Sequence, residues 1–191
     1  MQHAIIKKAF YFMRHGTTEW NIKKICQGQA DVPLHAIGVE EAHNAIITQH
    51  DITDVFYSPL QRTVETTRIV TQHMTCPKRE MIDIKARHFG DLEGKPWVIS
   101  SEELAKTYKT FEPTNGELWL QFSTRVLQGI NAGLARSECP LFIAHSEVFR
   151  AIVDALDIEY CSINNCDLIK FIPTNTLNNS WKAIHHKKDF E

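Results

Sequence analysis

Short apolar runs alternate with amphipathic stretches along the whole of this 191-residue chain. Ala9-Phe10-Tyr11-Phe12-Met13 is unbroken, largely aromatic and soon followed by Gly16, which predicts a buried strand. From Gly38 to His50, the residues Val39, Ala42, Ala45, Ile46 and Ile47 fall at helical spacing. Val55-Phe56-Tyr57 predicts a second strand, ended by Ser58-Pro59. Leu60 to Met74 then reads as a helix with a stripe of Leu60, Val64, Thr67 and Val70. Met81 to Ile84 predicts another strand, and an irregular stretch runs from Phe89 to Pro96. Helices are expected from Ser100 to Lys109 and from Glu117 to Ala135. Leu141-Phe142-Ile143-Ala144 is the clearest core strand, bounded by Pro140 and followed by a helix through Val148, Ile152 and Leu156. Leu168 to Ile172 and Trp181 to Ile184 predict two closing strands. Strands alternating with helices predict an α/β domain of three layers, a mostly parallel central sheet flanked by helices. Ligands of such sheets sit beyond the carboxyl ends of the strands, which says where to search.

Composition narrows the class. No Pro/Gly/Ser linker, repeat or low-complexity tract divides the chain, so a single domain over 1–191 is expected. With 43% hydrophobic and 23% charged residues, the chain can bury a core, and disorder is excluded. The 21 Lys+Arg against 23 Asp+Glu leave a net charge of −2, which gives no general affinity for nucleic acid or anionic membrane. Anion binding must then come from a few converging basic residues. No secretory signal or membrane-spanning run is visible, and the five cysteines (Cys26, Cys76, Cys139, Cys161 and Cys166) form no CxxC pair. Reduced thiols in the cytoplasm are expected, with no metal site. Oligomeric state is not legible in the pattern.

Three polar groups fall at predicted strand ends. Arg14-His15-Gly16 follows the first strand, Arg62 lies just past the second, and His145 ends the strongest one. Together they would make a compact cationic pocket in which arginine's planar fork suits phosphate oxygens. Each also has an ordinary reading. A lone histidine after a strand is commonly a packed, hydrogen-bonded side chain, and a lone Arg62 would pair with Glu65 or Glu40 in solvent. His185-His186 beside Lys187-Lys188 reads as a solvated tail, and His3 has no ligand spacing.

Longer segments decide between these readings. Arg14-His15-Gly16-Thr17-Thr18-Glu19-Trp20-Asn21 resembles the RHG signature of the histidine phosphatase superfamily, which includes the cofactor-dependent phosphoglycerate mutases. Gln27-Gly28-Gln29-Ala30-Asp31-Val32-Pro33-Leu34, followed by Gly38 and Ala42, is similar to the family's QG-x-x-D-x-PL segment. Ser58-Pro59-Leu60-Gln61-Arg62-Thr63 resembles SPL-x-R-[TA], Phe89-Gly90-Asp91-Leu92-Glu93-Gly94 resembles FG-x-x-EG, and Ile143-Ala144-His145-Ser146 resembles the second histidine segment. Five segments in order are far more specific than RHG alone.

The resemblance implies a phosphoglycerate mutase-like fold and a phosphohistidine mechanism. His15 would be the nucleophile, its tautomer set by a backbone carbonyl. Arg14, Arg62 and a protonated His145 would hold the phosphoryl oxygens. Asn21, Gln27, Gly28 and the amide of Ser146 complete the phosphate- and substrate-binding set, although the family usually has Gly at the last position. No cofactor or metal is implied. The expected partner is a small phosphorylated substrate or a phosphoprotein. The short chain and the QG segment point to a phosphomonoester hydrolase; a phosphoglycerate mutase is the alternative. Trp97, Phe111 and Trp119 lie in an insertion around 95–120 that covers the pocket in related proteins, where they either contact the substrate's organic part or pack in the core.

One position departs from the pattern. The family's proton-donating carboxylate sits three residues before the aromatic-Gly pair, and here that position is Ala86. General acid catalysis is commonly worth ~10²–10⁴-fold, so its loss matters. Another carboxylate could substitute, with Asp83, Asp91, Glu93 and Glu117 nearest in sequence or motif. Alternatively the chain is a low-activity or non-catalytic phospho-ligand binder, or Ala86 is an engineered change from Glu, which the intact neighbouring motif favours.

Overall fold

The computed structural model describes residues 4–49, 51–97, 103, 106–159, 162–174 and 181–186. The chain runs β1 (Phe10–Arg14), α1 (Glu19–Ile22), α2 (Ala36–Asn44), β2 (Asp54–Tyr57), α3 (Gln61–Val70), β3 (Lys78–Glu80), α4 (Trp119–Arg136), β4 (Pro140–Ala144), α5 (Ser146–Ala155), β5 (Leu168–Pro173) and β6 (Trp181–His186). The strands form one six-stranded sheet in the order β3-β2-β4-β1-β5-β6. β1 to β4 are mutually parallel, and β5 and β6 join antiparallel at one side.

Side chains alternate across the sheet, so each strand feeds two cores. Phe10 and Phe12 of β1 and Phe142 of β4 pack with Phe122 and Ile130 of α4 and Phe149 of α5. Tyr11, Met13, Leu141 and Ile143 point the other way, onto Ala42 of α2 and Ile69 and Val70 of α3. This is the expected three-layer α/β arrangement. β1 and β4 are covered on both faces, which is why their sequences are unbroken apolar runs.

Several local expectations shift. Met81 to Ile84 is not a strand: β3 precedes it, and Ile82–Ile84 is a 3₁₀ turn that buries Ile84 while Ile82 stays exposed. β3 is a solvent-exposed edge of Lys, Arg and Glu, so no apolar pattern marks it. α2 stops at Asn44, before Ala45 to Ile47. His185 and His186 belong to edge strand β6 rather than to a tail, and Tyr11 packs 5.7 Å from His186. The single turn α1 was not expected; it is held by a capping box in which Thr18 and Asn21 bond reciprocally. Of the helix expected from Ser100 to Lys109, residues 103, 106 and 107 are helical and 108 and 109 form a turn; the rest of that span lies outside the described residues, as do His3, Cys161, Lys187 and Lys188. Among the described residues, no helix is long and apolar enough to cross a membrane.

Candidate active site

Three neighbouring parallel strands end at one rim. The His15 amide donates to the Ala144 carbonyl at the end of β4 (3.0 Å), and the Ser58 amide donates to the Ile143 carbonyl (3.1 Å). Continuing the ladder this way delivers His15, Ser58 and His145 to adjacent positions just past β1, β2 and β4. The two imidazole rings lie 5.2 Å apart, centroid to centroid, and both residues are buried.

His15 Nδ1 is 2.7 Å from the Gly16 carbonyl. A carbonyl only accepts, so Nδ1 carries the proton and Nε2 presents a lone pair. The loop holding this carbonyl is fixed by close backbone contact: a Cβ on Gly16 would lie 2.6 Å from the Gly38 carbonyl oxygen, and one on Gly38 would lie 2.1 Å from that of Thr17. Glu41 of α2 reinforces it, accepting from the Thr17 amide and hydroxyl at 2.8 Å each. His145 is held through Nε2, which sits 2.8 Å from the Ser58 hydroxyl, while its buried Nδ1 has no protein partner among the described residues.

A cavity of about 620 Å³ opens over this rim, lined by Arg14, His15, Asn21, Gln27, Gly28, Arg62, Ala86, His145 and Ser146. The residues named as the catalytic and phosphate-binding set thus line one cavity. Arg62 does not lie in solvent beside Glu65 or Glu40. Its guanidinium is buried, donating to the carbonyls of Ala30 (2.8 Å) and Gly28 (2.7 Å), and its Nε is left without a protein acceptor among the described residues. Arg14 donates to the Ile163 carbonyl at 2.8 Å. Asn21 Oδ1 accepts from the amide and hydroxyl of Thr18, which leaves its Nδ2 as a donor. Gln27 carries a buried, unpaired Oε1. Ser146 is the first residue of α5, where backbone amides have no intrahelical acceptor.

Burial and charge act on both histidines in one direction. His15 is held well below the ordinary imidazole value by desolvation first, then by Arg62 and Arg14, against the opposing pull of the Gly16 carbonyl. His145 is likewise held well below it by burial, then by Arg62, His15, Arg14 and Arg125. The neutral His15 needed for attack is therefore the stable form. In the protein alone the protonated His145 that the resemblance implies is disfavoured, by burial first and then by Arg62, His15 and Arg14. Burial also pulls Arg62 down to about 10, so it stays charged at neutral pH.

The carboxylates named as replacements for the missing acid are engaged elsewhere. Both oxygens of Glu117 are bound by Arg125, at 2.6 and 2.8 Å. Glu93 Oε1 accepts from the amides of Gln29 and Phe89, both at 2.9 Å. Asp91 accepts from Asn115, and neither it nor Asp83 reaches the cavity. Trp97 lines the cavity, Trp119 is in the core, and Phe111 packs against Phe89 at 6.5 Å between centroids, so the three aromatics divide between the two roles. Sequence reading missed Trp20, Lys24, Arg87, Glu147, Arg150 and Ile163 in the cavity wall. Trp20, Arg87 and Glu147 each adjoin a residue already singled out, so adjacency was the available signal.

A three-layer α/β fold with paired histidines and arginines over the carboxyl edge of its sheet defines a class of anion-handling proteins. Residues 10–177 match the histidine phosphatase superfamily (branch 1), and the chain belongs to that family. It is 31% identical over 150 residues to the uncharacterized phosphatase PhoE of Bacillus subtilis, covering 76% of this chain and 75% of that protein. It is 28% identical over 172 residues to the 2,3-bisphosphoglycerate-dependent phosphoglycerate mutase of Bartonella bacilliformis, covering 80% and 82%. The solved structure of Bacillus stearothermophilus YhfR superposes with a TM-score of 0.78 at 20% identity, covering 94% of this chain and 96% of that one. Family members thus include both phosphatases and mutases.

Proposed function

We propose that this chain is a phosphomonoester hydrolase that works through a phosphohistidine at residue 15, on a small phosphorylated metabolite or a phosphoprotein. The observation carrying this reading is the bond between His15 Nδ1 and the Gly16 carbonyl, which turns a neutral Nε2 lone pair toward the cationic cavity. Nε2 attacks phosphorus, the P–O bond to the leaving group breaks, and water then hydrolyses the N–P bond. Arg14 and Arg62 bind the equatorial oxygens, where charge spreads during transfer. The phosphoryl dianion supplies the counter-charge that His145 otherwise lacks, so ligand binding favours its protonation and its Nδ1–H becomes a third donor.

The test uses p-nitrophenyl phosphate, whose good leaving group needs little protonation. The expected result is a burst of nitrophenolate, acid-labile phosphate on the protein, and release of inorganic phosphate. His15→Ala should abolish the covalent label. A binding module would hold phosphate tightly with no burst, and a mutase would move phosphate between the 2- and 3-positions of glycerate without releasing it. Either result would overturn the hydrolase reading.

A further inference from the structure

Among the described residues that line the cavity Glu147 is the only carboxylate, and it shares the wall with Ala86, where the family's acid is missing. It stands two residues after His145, the N-cap of α5, and both residues line the cavity. Its residue is buried, at 8% exposure. Oε1 is fixed by Arg150 Nε at 3.1 Å, and Oε2 is buried with no protein partner among the described residues. An unsatisfied buried carboxylate oxygen is costly and rare in a folded protein, and it marks a position where a proton or a ligand group belongs. The other acids near the motif are bound by Arg125, by backbone amides or by Asn115, or lie away from the cavity. Arg150 anchors one oxygen and leaves the other without a hydrogen-bond partner among the described residues.

We infer that Glu147 is the general acid–base of this chain, taking over from position 86. The inference rests on the phosphohistidine reading above. In the first step His15 Nε2 forms a bond to phosphorus while the P–O bond to the leaving group breaks. Glu147 transfers the proton on Oε2 to that oxygen, so an alcohol departs and the carboxylate remains. In the second step a water oxygen bonds to phosphorus, its proton goes to Glu147 Oε2, and the N–P bond breaks to release phosphate. Both groups return to their starting states.

The experiment compares single-turnover phosphorylation of His15 by p-nitrophenyl phosphate and by an alkyl phosphate such as glycerol 2-phosphate. It uses the unaltered chain, Glu147→Gln, Ala86→Glu and the double variant. Glu147→Gln should slow the alkyl substrate about 10²-fold or more and the nitrophenyl substrate less than about fivefold. Ala86→Glu should restore at least about tenfold of the alkyl rate in the Glu147→Gln background, and change it less than about threefold alone. Equal loss on both substrates would assign Glu147 a merely structural role and overturn the inference. No loss, or a large gain from Ala86→Glu alone, would also overturn it, since the chain would then lack any acid. Absence of phosphohistidine in the unaltered chain would overturn the hydrolase reading as well, whereas a normal nitrophenyl burst with an unmoved alkyl rate would overturn only the role of Glu147.

Discussion

Gly38→Ala tests how tightly the nucleophile is held, from a residue that does not line the cavity. An added Cβ would lie 2.1 Å from the Thr17 carbonyl oxygen and 2.6 Å from its amide nitrogen. Ordinary contact begins at 3.4 Å, so the shortfall at the oxygen is 3.4 − 2.1 = 1.3 Å. Both clashes are with backbone, so no side chain can swing away. Thr17 is also tied to α2 by Glu41 and accepts from the His35 amide at 2.9 Å, so the strain passes into the 15–17 loop. Overpacking of this kind costs about 1–3 kcal/mol. A displacement near 1 Å at a reacting group can cost about 10²-fold in rate. Urea denaturation should show the stability loss, and stopped-flow nitrophenolate bursts should show His15 phosphorylation slowed by about two orders of magnitude. A variant that loses the stability but phosphorylates at the original rate would refute the claim that this contact positions the imidazole.

Two further outcomes follow from the buried histidines. His145→Ala should slow phosphorylation about 10²–10³-fold, the usual cost of removing one donor to developing charge, while changing phosphate affinity less than about fivefold, as measured by titration calorimetry. A change confined to ground-state affinity would contradict this. Stability should also fall in acid. Both folded-state values lie well below the ordinary 6.5, so the unfolded chain binds more protons between the two and folding weakens as pH drops below about 6.5. With two groups the limiting slope is about 2.7 kcal/mol per pH unit, and replacing both by glutamine should remove it from urea midpoints taken between pH 5 and 7.

The fold was most legible where strands are enclosed. β1 and β4 pack on both faces, so their buried residues run consecutively and stand out. β3 has no apolar face, and its position depends on pairing with β2 rather than on its own residues. The apolar run Met81 to Ile84 misled for a related reason: Ile84 is buried by a 3₁₀ turn, with Asp83 against Gly129 of α4, a contact invisible to a period-two pattern. At the site, the convergence of His15, Arg14, Arg62 and His145 on one cavity was legible because strand ends and motif segments coincide there. The proposed acid was not. Candidates were drawn from the Phe89–Gly94 motif and its surroundings, but which carboxylate faces a cavity depends on hydrogen-bond partners contributed by other segments. Arg125, nearly forty positions past Ala86, removes Glu117 from contention.

The same dependence governs charge. Placing two arginines and two histidines around one cavity reads, from sequence, as a fully cationic cage. In the folded protein burial disfavours the charge on Arg62 and on both histidines, and the groups differ in how far they yield. Arginine begins so high that a fall to about 10 at Arg62 leaves it protonated. Histidine begins near neutrality, so the same burial and the same arginine fields leave both rings uncharged. The arginines are therefore the fixed electrostatic part of the site and the histidines the adjustable part. One ring is kept neutral by burial and the arginines, with its tautomer set by its carbonyl partner, and the other is free to acquire a proton when a dianion arrives. Such a site discriminates by ligand charge: a dianion stabilises the proton on His145 and gains a donor from it, whereas a neutral ester of the same shape would meet a ring with no reason to charge.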